Sequence, residues 1–366
     1  MTDFDYDIGI IGGGAAGLTV ASGAAQLGAK TLLIEQEHAL GGDCLHFGCV
    51  PSKTLIHSAH VYHLMRHAER FGLPKVSLPP VDFQQIAHRI QTVIATIQQH
   101  DSEERFCGLG AKVLFGKAVF TDEHTIDLAG NRLSAKSWVV ATGSSPVDPP
   151  IPGLHETTFL TNREIFSLDH LPESMVVLGG GPIGIEMAQA FNRLGTSVTV
   201  VDRSDQILGK EDKDMADRVA SLMEDEGVRF FLEASIEEVR EIHGHKSVKI
   251  IDKSGESIVL NTEAILVAMG RAPNIENMGL EDIGVVYDRY GIAVMHTTGT
   301  RIQGNLVGTD VTGMLDLGNT QSGVVVGGSE NLVGGTEVGA RNVISGNDSS
   351  GVWIVGGSQA GGHDVY

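Results

Sequence analysis

A short glycine motif that occurs twice constrains the fold of this chain more than any other feature. Each copy lies between an apolar run of strand character and a helical run, and an acidic residue ends the next strand-like run at the same distance. Glycines at this spacing allow a tight turn and bring a pyrophosphate close to a helix N-terminus, while the acid accepts hydrogen bonds from ribose hydroxyls. Two copies predict an α/β fold with two nested Rossmann-like dinucleotide-binding domains rather than two structural glycine turns. The residues are Gly12, Gly14, Gly17 and Glu35 in the first copy and Gly179, Gly181, Gly184 and Asp202 in the second.

The composition limits the classes of partner. The chain has 366 residues, a formal net charge of −20 and a pI near 5.1. An acidic surface repels phosphate at physiological salt, so we expect neither nucleic acid nor an anionic membrane as a partner. No stretch approaches the roughly 18 apolar residues of a membrane helix, and the first residues show neither a basic region nor a cleavage site. These features predict a cytoplasmic protein that acts on soluble molecules.

The second acid bears on the choice of nicotinamide cofactor. A carboxylate at Asp202 would repel the 2′-phosphate of NADPH, which favours NADH. Arg203, the next residue, weakens that preference. We therefore expect NAD(P)H as a cofactor, with NADH favoured.

Two of the three cysteines lie five positions apart in "GGDCLHFGCVPSK", residues 41–53. A disulfide needs Cα atoms roughly 4.4–6.8 Å apart, whereas an ideal helix would separate residues at this spacing by about 7.5 Å along its axis. The segment between Cys44 and Cys49 must therefore bend, and Gly48 gives it the freedom to do so. Amides at the start of the following helix and the nearby Lys53 would lower the pKa of Cys49. The pattern favours a redox-active disulfide over two buried cysteines or half of a zinc site, since no second cysteine pair exists.

Residues 52–70 and 82–106 both have helical spacing. The first of these stretches carries four histidines, His57, His60, His63 and His67. Such a run could bind a metal, but it is more typical of a solvated helix face. We expect no metal site.

Five motifs follow one another between residues 5 and 294: "GIIGGGAAG", "GGDCLHFGCVPSK", "VVATGSSP", "VVLGGGPIGIEMA" and "AILVAMGRAPN". In this order they resemble the FAD-dependent pyridine nucleotide-disulfide oxidoreductases, and within them the dihydrolipoamide dehydrogenase and mercuric reductase branch. The resemblance implies that FAD binds the first dinucleotide domain and NAD(P)H the second. It also implies electron transfer from the nicotinamide through the flavin to the cysteine pair, and from there to a small-molecule or protein disulfide.

The resemblance implies a role for each matching residue. Cys44 would exchange with the substrate and Cys49 would face the flavin, while Lys53 would pair with Glu186 beside the reactive edge of the flavin. These four would be the catalytic residues. The further cofactor contacts that it implies are Gly42, Thr142, Gly143, Ile183 and Gly270.

We divide the chain into four parts. Residues 1–150 are expected to form the FAD domain with the cysteine pair, 151–273 the NAD(P) domain, and 274–295 the start of a return to the FAD domain. In residues 296–366 glycine and asparagine dominate, and "NLVG" and "SGVVVGGS" recur as "NLVGG" and "SGVWIVGGS". These repeats resemble those of pectin-lyase-like β-helices, and their valine runs disfavour a disordered glycine-rich tail.

The last part raises a question about activity. Asp310 is a candidate flavin ligand because it lies where the family's flavin-binding aspartate would stand, yet the residues from Arg301 fit the repeat, so we expect an accidental match. No motif after residue 295 matches the His and Glu of the family's dimerisation domain. We therefore expect a truncated, impaired oxidoreductase with a β-helix-like all-β fragment in place of the dimerisation domain of the family's homodimer. The alternative is a non-catalytic fusion whose repeats act as a binding or surface module.

Overall fold

The computed structural model describes residues 4–288 and 291–293, and after these only eight short strands between residues 297 and 365. It divides into two compact units, residues 1–274 and 275–366. Among the described helices, none is long and apolar enough to cross a membrane.

The first unit contains helices and strands in alternation. Its helices are α1 (Ala15–Gln26), α2 (Gly42–His46), α3 (Cys49–Arg66), α4 (Phe83–Gln98), α5 (Glu103–Gly108), α6 (Pro182–Leu194) and α7 (Lys213–Asp225), with a 3-10 helix at Ala68–Phe71. Its strands are β1 (Tyr6–Ile11), β2 (Thr31–Glu35), β3 (Ala111–Phe115), β4 (Ala118–Phe120), β5 (Thr125–Leu128), β6 (Asn131–Val140), β7 (Ser144–Pro146), β8 (Ser174–Leu178), β9 (Ser197–Val201), β10 (Arg229–Phe231), β11 (Ser235–Ile242), β12 (His245–Ile251), β13 (Ser257–Thr262), β14 (Ala264–Val267) and β15 (Arg271–Pro273).

The first sheet forms around the first glycine motif. Its strand order is β3-β2-β1-β6-β5-β4, in which β3, β2, β1 and β6 are parallel and β5 and β4 add antiparallel hairpins. Ile10 of β1 and Leu33 of β2 are fully buried and share a core cluster with Leu18 of α1. The β1-α1-β2 crossover therefore places the N-terminus of α1 at the carboxyl end of β1, where dinucleotides bind in this type of sheet.

The second glycine motif lies in a second parallel sheet of order β10-β9-β8-β14. Helix α6 follows β8 as α1 follows β1, so the two motifs occupy equivalent places in two Rossmann-like units. An antiparallel sheet of β11, β12 and β13 packs on the second Rossmann-like unit, since Val239 and Val248 share a buried cluster with Val176 and Ile265.

Helices α3, α4 and α6 share one hydrophobic core. Leu55 of α3 and Ile90 of α4 are fully buried in the same cluster as Phe191 of α6, and the rings of Phe83 and Phe191 stack with centroids 5.5 Å apart. This packing fixes the helix that follows the cysteines against the second Rossmann-like unit. The helical stretch expected over 82–106 consists of two helices, α4 and α5, because Ser102 caps a new helix by accepting from the backbone N–H of Arg105.

The second unit is described through its strands. An antiparallel pair comes first, β16 (Val286–Asp288) with β17 (Gly291–Ala293). The later strands pair in parallel, in the orders β18-β21-β24, β19-β22-β25 and β20-β23. Asp310 lies outside the described residues. The strands are β18 (Thr297–Thr298), β19 (Arg301–Ile302), β20 (Leu306–Val307), β21 (Val324–Ser329), β22 (Leu332–Val333), β23 (Val343–Ile344), β24 (Val352–Val355) and β25 (Asp364–Val365).

Candidate functional site

The two glycine motifs have the same local geometry. A Cβ on the third glycine of each motif would lie against the carbonyl oxygen of the first: 1.8 Å from the oxygen of Gly12 for Gly17, and 2.1 Å from that of Gly179 for Gly184. No side chain fits at these distances, so glycine is required for the helix to pack this closely against the loop. The two copies of the motif therefore share the same close approach of helix and loop.

Gly14 and Gly181 are the N-caps of α1 and α6, and neither provides a side-chain cap. The first amides of both helices are thus without a capping side chain and can donate to an anion such as a pyrophosphate. Gly42 has a φ of +59°, and a Cβ there would lie 2.6 Å from the Cα of Gly14. This close approach brings the start of the cysteine motif against the first glycine loop.

The two acids have matching hydrogen bonds. The carboxylate of Glu35 is buried and accepts from the backbone N–H of Gly13 at 2.7 Å. The carboxylate of Asp202 accepts from the backbone N–H of Gly180 at 2.6 Å. Each carboxylate is thereby oriented at the edge of its glycine loop.

Cys44 and Cys49 lie on either side of the break between α2 and α3, which is the bend that their spacing requires. Both are free thiols in this structure. Cys49 is exposed and Cys44 is partly buried. Partial burial raises the pKa of Cys44 to about 11, and the hydrogen bond and charge of Cys49 and the charge of Asp43 act in the same direction.

The structure brings Lys53 of α3 and Glu186 of α6 together in an ion pair of 2.5 Å. Thr142 and Gly143 form a turn after β6, where the Thr142 hydroxyl donates to the carbonyl of Asn274 at 2.5 Å and the Gly143 carbonyl accepts from the N–H of Asn274 at 2.9 Å. The end of the second Rossmann-like unit thus lies against the turn that follows the first sheet.

A cavity of about 750 Å³ lies over the second glycine motif. Its wall includes Gly179 and Gly181 of the motif and the acid Asp202, together with Ile183 and Gly270. Five of the residues that the sequence analysis assigned to cofactor binding therefore surround one cavity. Its volume lies in the range typical of small-molecule and cofactor sites, about 300–1,000 Å³.

Three residues of the site have no counterpart in the sequence analysis: Asp43, Asn162 and Arg271. Arg271 forms an ion pair with Asp43 at 3.0 Å, and Asn162 donates to the Asp43 carboxylate at 3.2 Å. Asp43 and Arg271 stand inside quoted motifs, but no local pattern indicates that they meet. Asn162 lies in no motif, so nothing in the sequence signals its contact.

Three of the four histidines lie on α3, and His67 follows its last residue. The rings of His63 and His67 lie 4.4 Å apart, centroid to centroid. In the part of the chain that the structure describes, no group of three or more His, Cys, Asp or Glu side chains is arranged to hold a metal ion.

Comparison with known proteins gives one family. The family model described as pyridine nucleotide-disulphide oxidoreductase matches residues 6–327, which extends beyond residue 294, where the sequence analysis ended the resemblance. The mercuric reductase of Staphylococcus aureus is 31% identical over 289 residues, covering 79% of this chain and 52% of that protein. The dihydrolipoyl dehydrogenase of Bacillus subtilis is 33% identical over 335 residues, covering 87% and 69%.

Solved structures give the same answer. The Cu(II) complex of the HOCl-induced flavoprotein disulfide reductase RclA from Escherichia coli superposes with a TM-score of 0.70 at 28% identity, covering 81% of this chain and 63% of that one. The chain spans about half the length of the mercuric reductases it matches, 52% and 48% for those of Staphylococcus aureus and Bacillus cereus.

Proposed function

Because the chain belongs to the pyridine nucleotide-disulphide oxidoreductase family, we propose that it is a FAD-dependent NAD(P)H:disulfide oxidoreductase with Cys44 and Cys49 as its redox pair. Members of this family are enzymes that act on sulfur groups, use FAD and NAD(P)H, and are typically homodimers. The observation that carries the proposal is the position of the two cysteines on either side of the break between α2 and α3, where the chain bends between them.

The residues present fit two dinucleotides. The uncapped N-termini of α1 and α6 would hold the pyrophosphates, and Glu35 and Asp202 would orient the riboses. When bound, the nicotinamide and the flavin would supply the hydride and electron chemistry that links NAD(P)H to a disulfide. Both oxygens of Asp202 accept from backbone N–H groups, of Gly180 and Ser204, which fixes the negative charge in the cavity and favours NADH.

Electrons, protons and bonds balance in the proposed reduction of the cysteine pair. The Cys44–Cys49 disulfide takes up two electrons and two protons, its S–S bond breaks, and two S–H bonds form. NAD(P)H is the reductant in the proposal. In the next half-reaction the two thiols would reduce an external disulfide, with Cys44 attacking it as the family resemblance implies.

We also propose that residues 296–366 form a fragment of a parallel β-helix. The parallel pairing of β18, β21 and β24, and of β19, β22 and β25, supports this. Successive coils of a β-helix stack strands in this way. The same strands favour the second candidate function, a non-catalytic fusion in which this fragment binds a partner.

One measurement distinguishes the oxidoreductase from the non-catalytic fusion. The full-length protein is refolded with excess FAD, freed of unbound flavin, and mixed with NADH and a quinone. We expect a yellow protein that oxidises NADH with the quinone. A folded protein that stays colourless would refute the oxidoreductase proposal and favour the fusion.

A further inference from the structure

Two side chains from distant parts of the chain hold Asp43, the residue before Cys44. The guanidinium of Arg271 lies 3.0 Å from one carboxylate oxygen, Oδ2, and the side-chain amide of Asn162 donates to the other, Oδ1, at 3.2 Å. We call these three residues the aspartate clamp. Both holding residues also line the 750 Å³ cavity. The clamp therefore connects the wall of that cavity to the helix that carries Cys44.

Asn162 is fixed at the junction of the two cysteine helices. The residue is 7% exposed, and its Nδ2 also donates to the carbonyl of Phe47 at 3.0 Å, in the break between α2 and α3. Both acceptors face the same nitrogen, while Oδ1 of this side chain is buried without a partner. An unpaired buried acceptor costs stability. The orientation of the Asn162 amide is therefore determined by the two hydrogen bonds that Nδ2 donates, to Asp43 and to Phe47.

Arg271 is fixed in the same way. Its Nε donates to the hydroxyl of Ser144 at 2.9 Å and its Nη2 to the carbonyl of Ser144 at 2.5 Å, while the same nitrogen contacts Asp43. The side chains of Arg271 and Asp43 are 23% and 35% exposed. Charges in such a place are screened less than those of surface pairs, so their effect on a neighbouring group is larger.

The neighbouring group is the Cys44 thiol. Burial contributes most to the raised pKa of this thiol, followed by Cys49 from α3, and the charge of Asp43, the preceding residue of α2, adds a smaller effect in the same direction. A carboxylate beside a thiol disfavours the thiolate, and the thiolate is the reactive form. A guanidinium that draws the carboxylate to itself limits that effect.

We propose that the aspartate clamp tunes the reactivity of Cys44: the Asp43 carboxylate restrains the thiol, and Arg271 and Asn162, as positioning residues, bind that carboxylate and limit the restraint. The inference rests on the proposed role of Cys44 in the redox pair. Its readout, however, is the alkylation rate of the Cys44 thiol in the reduced protein, which requires neither FAD nor NADH.

The experiment compares Asp43→Asn and Arg271→Gln in the reduced full-length protein. Iodoacetamide is added over a pH series from 7 to 9.5, and the Cys44 and Cys49 peptides are quantified by mass spectrometry. A fall of one unit in a thiol pKa raises the thiolate fraction about tenfold and lowers its nucleophilicity, for a net gain of about threefold in rate. Because the charge of Asp43 is a smaller cause than burial, we expect Asp43→Asn to speed Cys44 alkylation and Arg271→Gln to slow it, each by at most about threefold.

A double variant tests whether Arg271 acts through Asp43. In Asp43→Asn protein, Arg271→Gln should cause no further change, because no carboxylate remains to be held. Arg240→Gln and Asp217→Asn are matched controls: each removes one charge from an exposed ion pair elsewhere in the unit, and neither should alter the Cys44 rate.

Several outcomes would contradict the proposed role of the aspartate clamp. Simple loosening around Cys44 would speed alkylation in both single variants, and a direct effect of Arg271 would slow it equally in both backgrounds. An unchanged rate in Asp43→Asn protein with a wild-type melting temperature would also contradict it. Failure of the proposed function looks different: Cys44 and Cys49 would then form no disulfide on mild oxidation, whatever the alkylation rates of the variants.

Discussion

Lys53 on α3 and Glu186 on α6 form an ion pair in which the Lys53 Nζ lies 2.5 and 2.6 Å from the two carboxylate oxygens. The two side chains are 60% and 39% exposed. Ion pairs this exposed contribute about 0–1 kcal/mol to stability. We therefore expect the pair to matter for the charge it places near the cysteine motif and not for the stability of the fold.

Removal of the Lys53 charge should lower activity and leave stability nearly unchanged. In Lys53→Met protein we expect the urea midpoint to stay nearly unchanged and the reduction of bound flavin by NADH to slow about tenfold or more, because a fixed positive charge stabilises reduced flavin. Stopped-flow absorbance of the flavin measures this rate. Lys213→Met, which breaks an exposed pair with Asp217 at 3.1 Å, should change neither quantity. Equal flavin reduction in Lys53→Met and wild-type protein would contradict the proposed role.

Two glycines of α1 should respond in opposite directions to alanine. A Cβ on Gly17 would lie 1.8 Å from a backbone oxygen, whereas one on Gly23 would have nothing within 4 Å. We expect Gly17→Ala to abolish FAD binding and to destabilise the first unit by about 1–3 kcal/mol. Gly23→Ala should stabilise it by about 0.5–1 kcal/mol, since alanine is the better helix former. Flavin fluorescence and urea unfolding test both, and a Gly17→Ala protein that retains FAD would refute the assignment of the loop.

Asp202 should determine the choice between NADH and NADPH. Asp202→Asn removes the charge and keeps an oxygen for the backbone N–H of Gly180. We expect the ratio of kcat/KM for NADH to that for NADPH to fall about tenfold, equivalent to 1.4 kcal/mol. Asp205→Asn, an exposed neighbour, is the control for a general change of charge. The same ratio in all three proteins would show that Asp202 does not face the 2′ position.

The Cys44 thiol should give the reduced protein a dependence on alkaline pH. Its pKa in the folded protein is raised from about 9.0 to about 11, chiefly by burial. A raised pKa stabilises the folded protein fully below the unfolded value, and this contribution is lost as the pH rises from about 9 to about 11. The melting temperature of reduced wild-type protein should therefore fall more steeply over this window than that of Cys44→Ser protein. In the oxidised form, which has no Cys44 thiol, the extra slope should be absent.

The parts of the site that lie within one short segment could be predicted from the sequence. The glycines, the acids and the cysteine pair each depend on residues within one strand-turn-helix passage, where spacing determines geometry. The break between α2 and α3 follows from the distance that a disulfide allows. The role of Glu186 could be predicted only through the family resemblance, because its partner Lys53 belongs to another Rossmann-like unit.

Contacts between distant segments could not be predicted. Asp43 and Arg271 meet because β15 pairs with β7 and so brings Arg271 beside Ser144, a consequence of packing that no local pattern records. Asn162 lies between β7 and β8, where secondary-structure propensity gives no prediction of its contacts. The helical stretch expected over 82–106 is also divided, since α4 ends at Gln98 and Ser102 caps the separate helix α5.

The most direct test of the central claim counts thiols. Full-length protein with bound FAD is oxidised, freed of excess oxidant, and mixed anaerobically with one equivalent of NADH. The Cys44 and Cys49 peptides are then quantified by alkylation and mass spectrometry, with Cys107 as the internal reference. The account predicts that Cys44 and Cys49 pass together from disulfide to two alkylated thiols while Cys107 stays unchanged. Consumption of NADH and bleaching of the flavin with the disulfide left intact would contradict it.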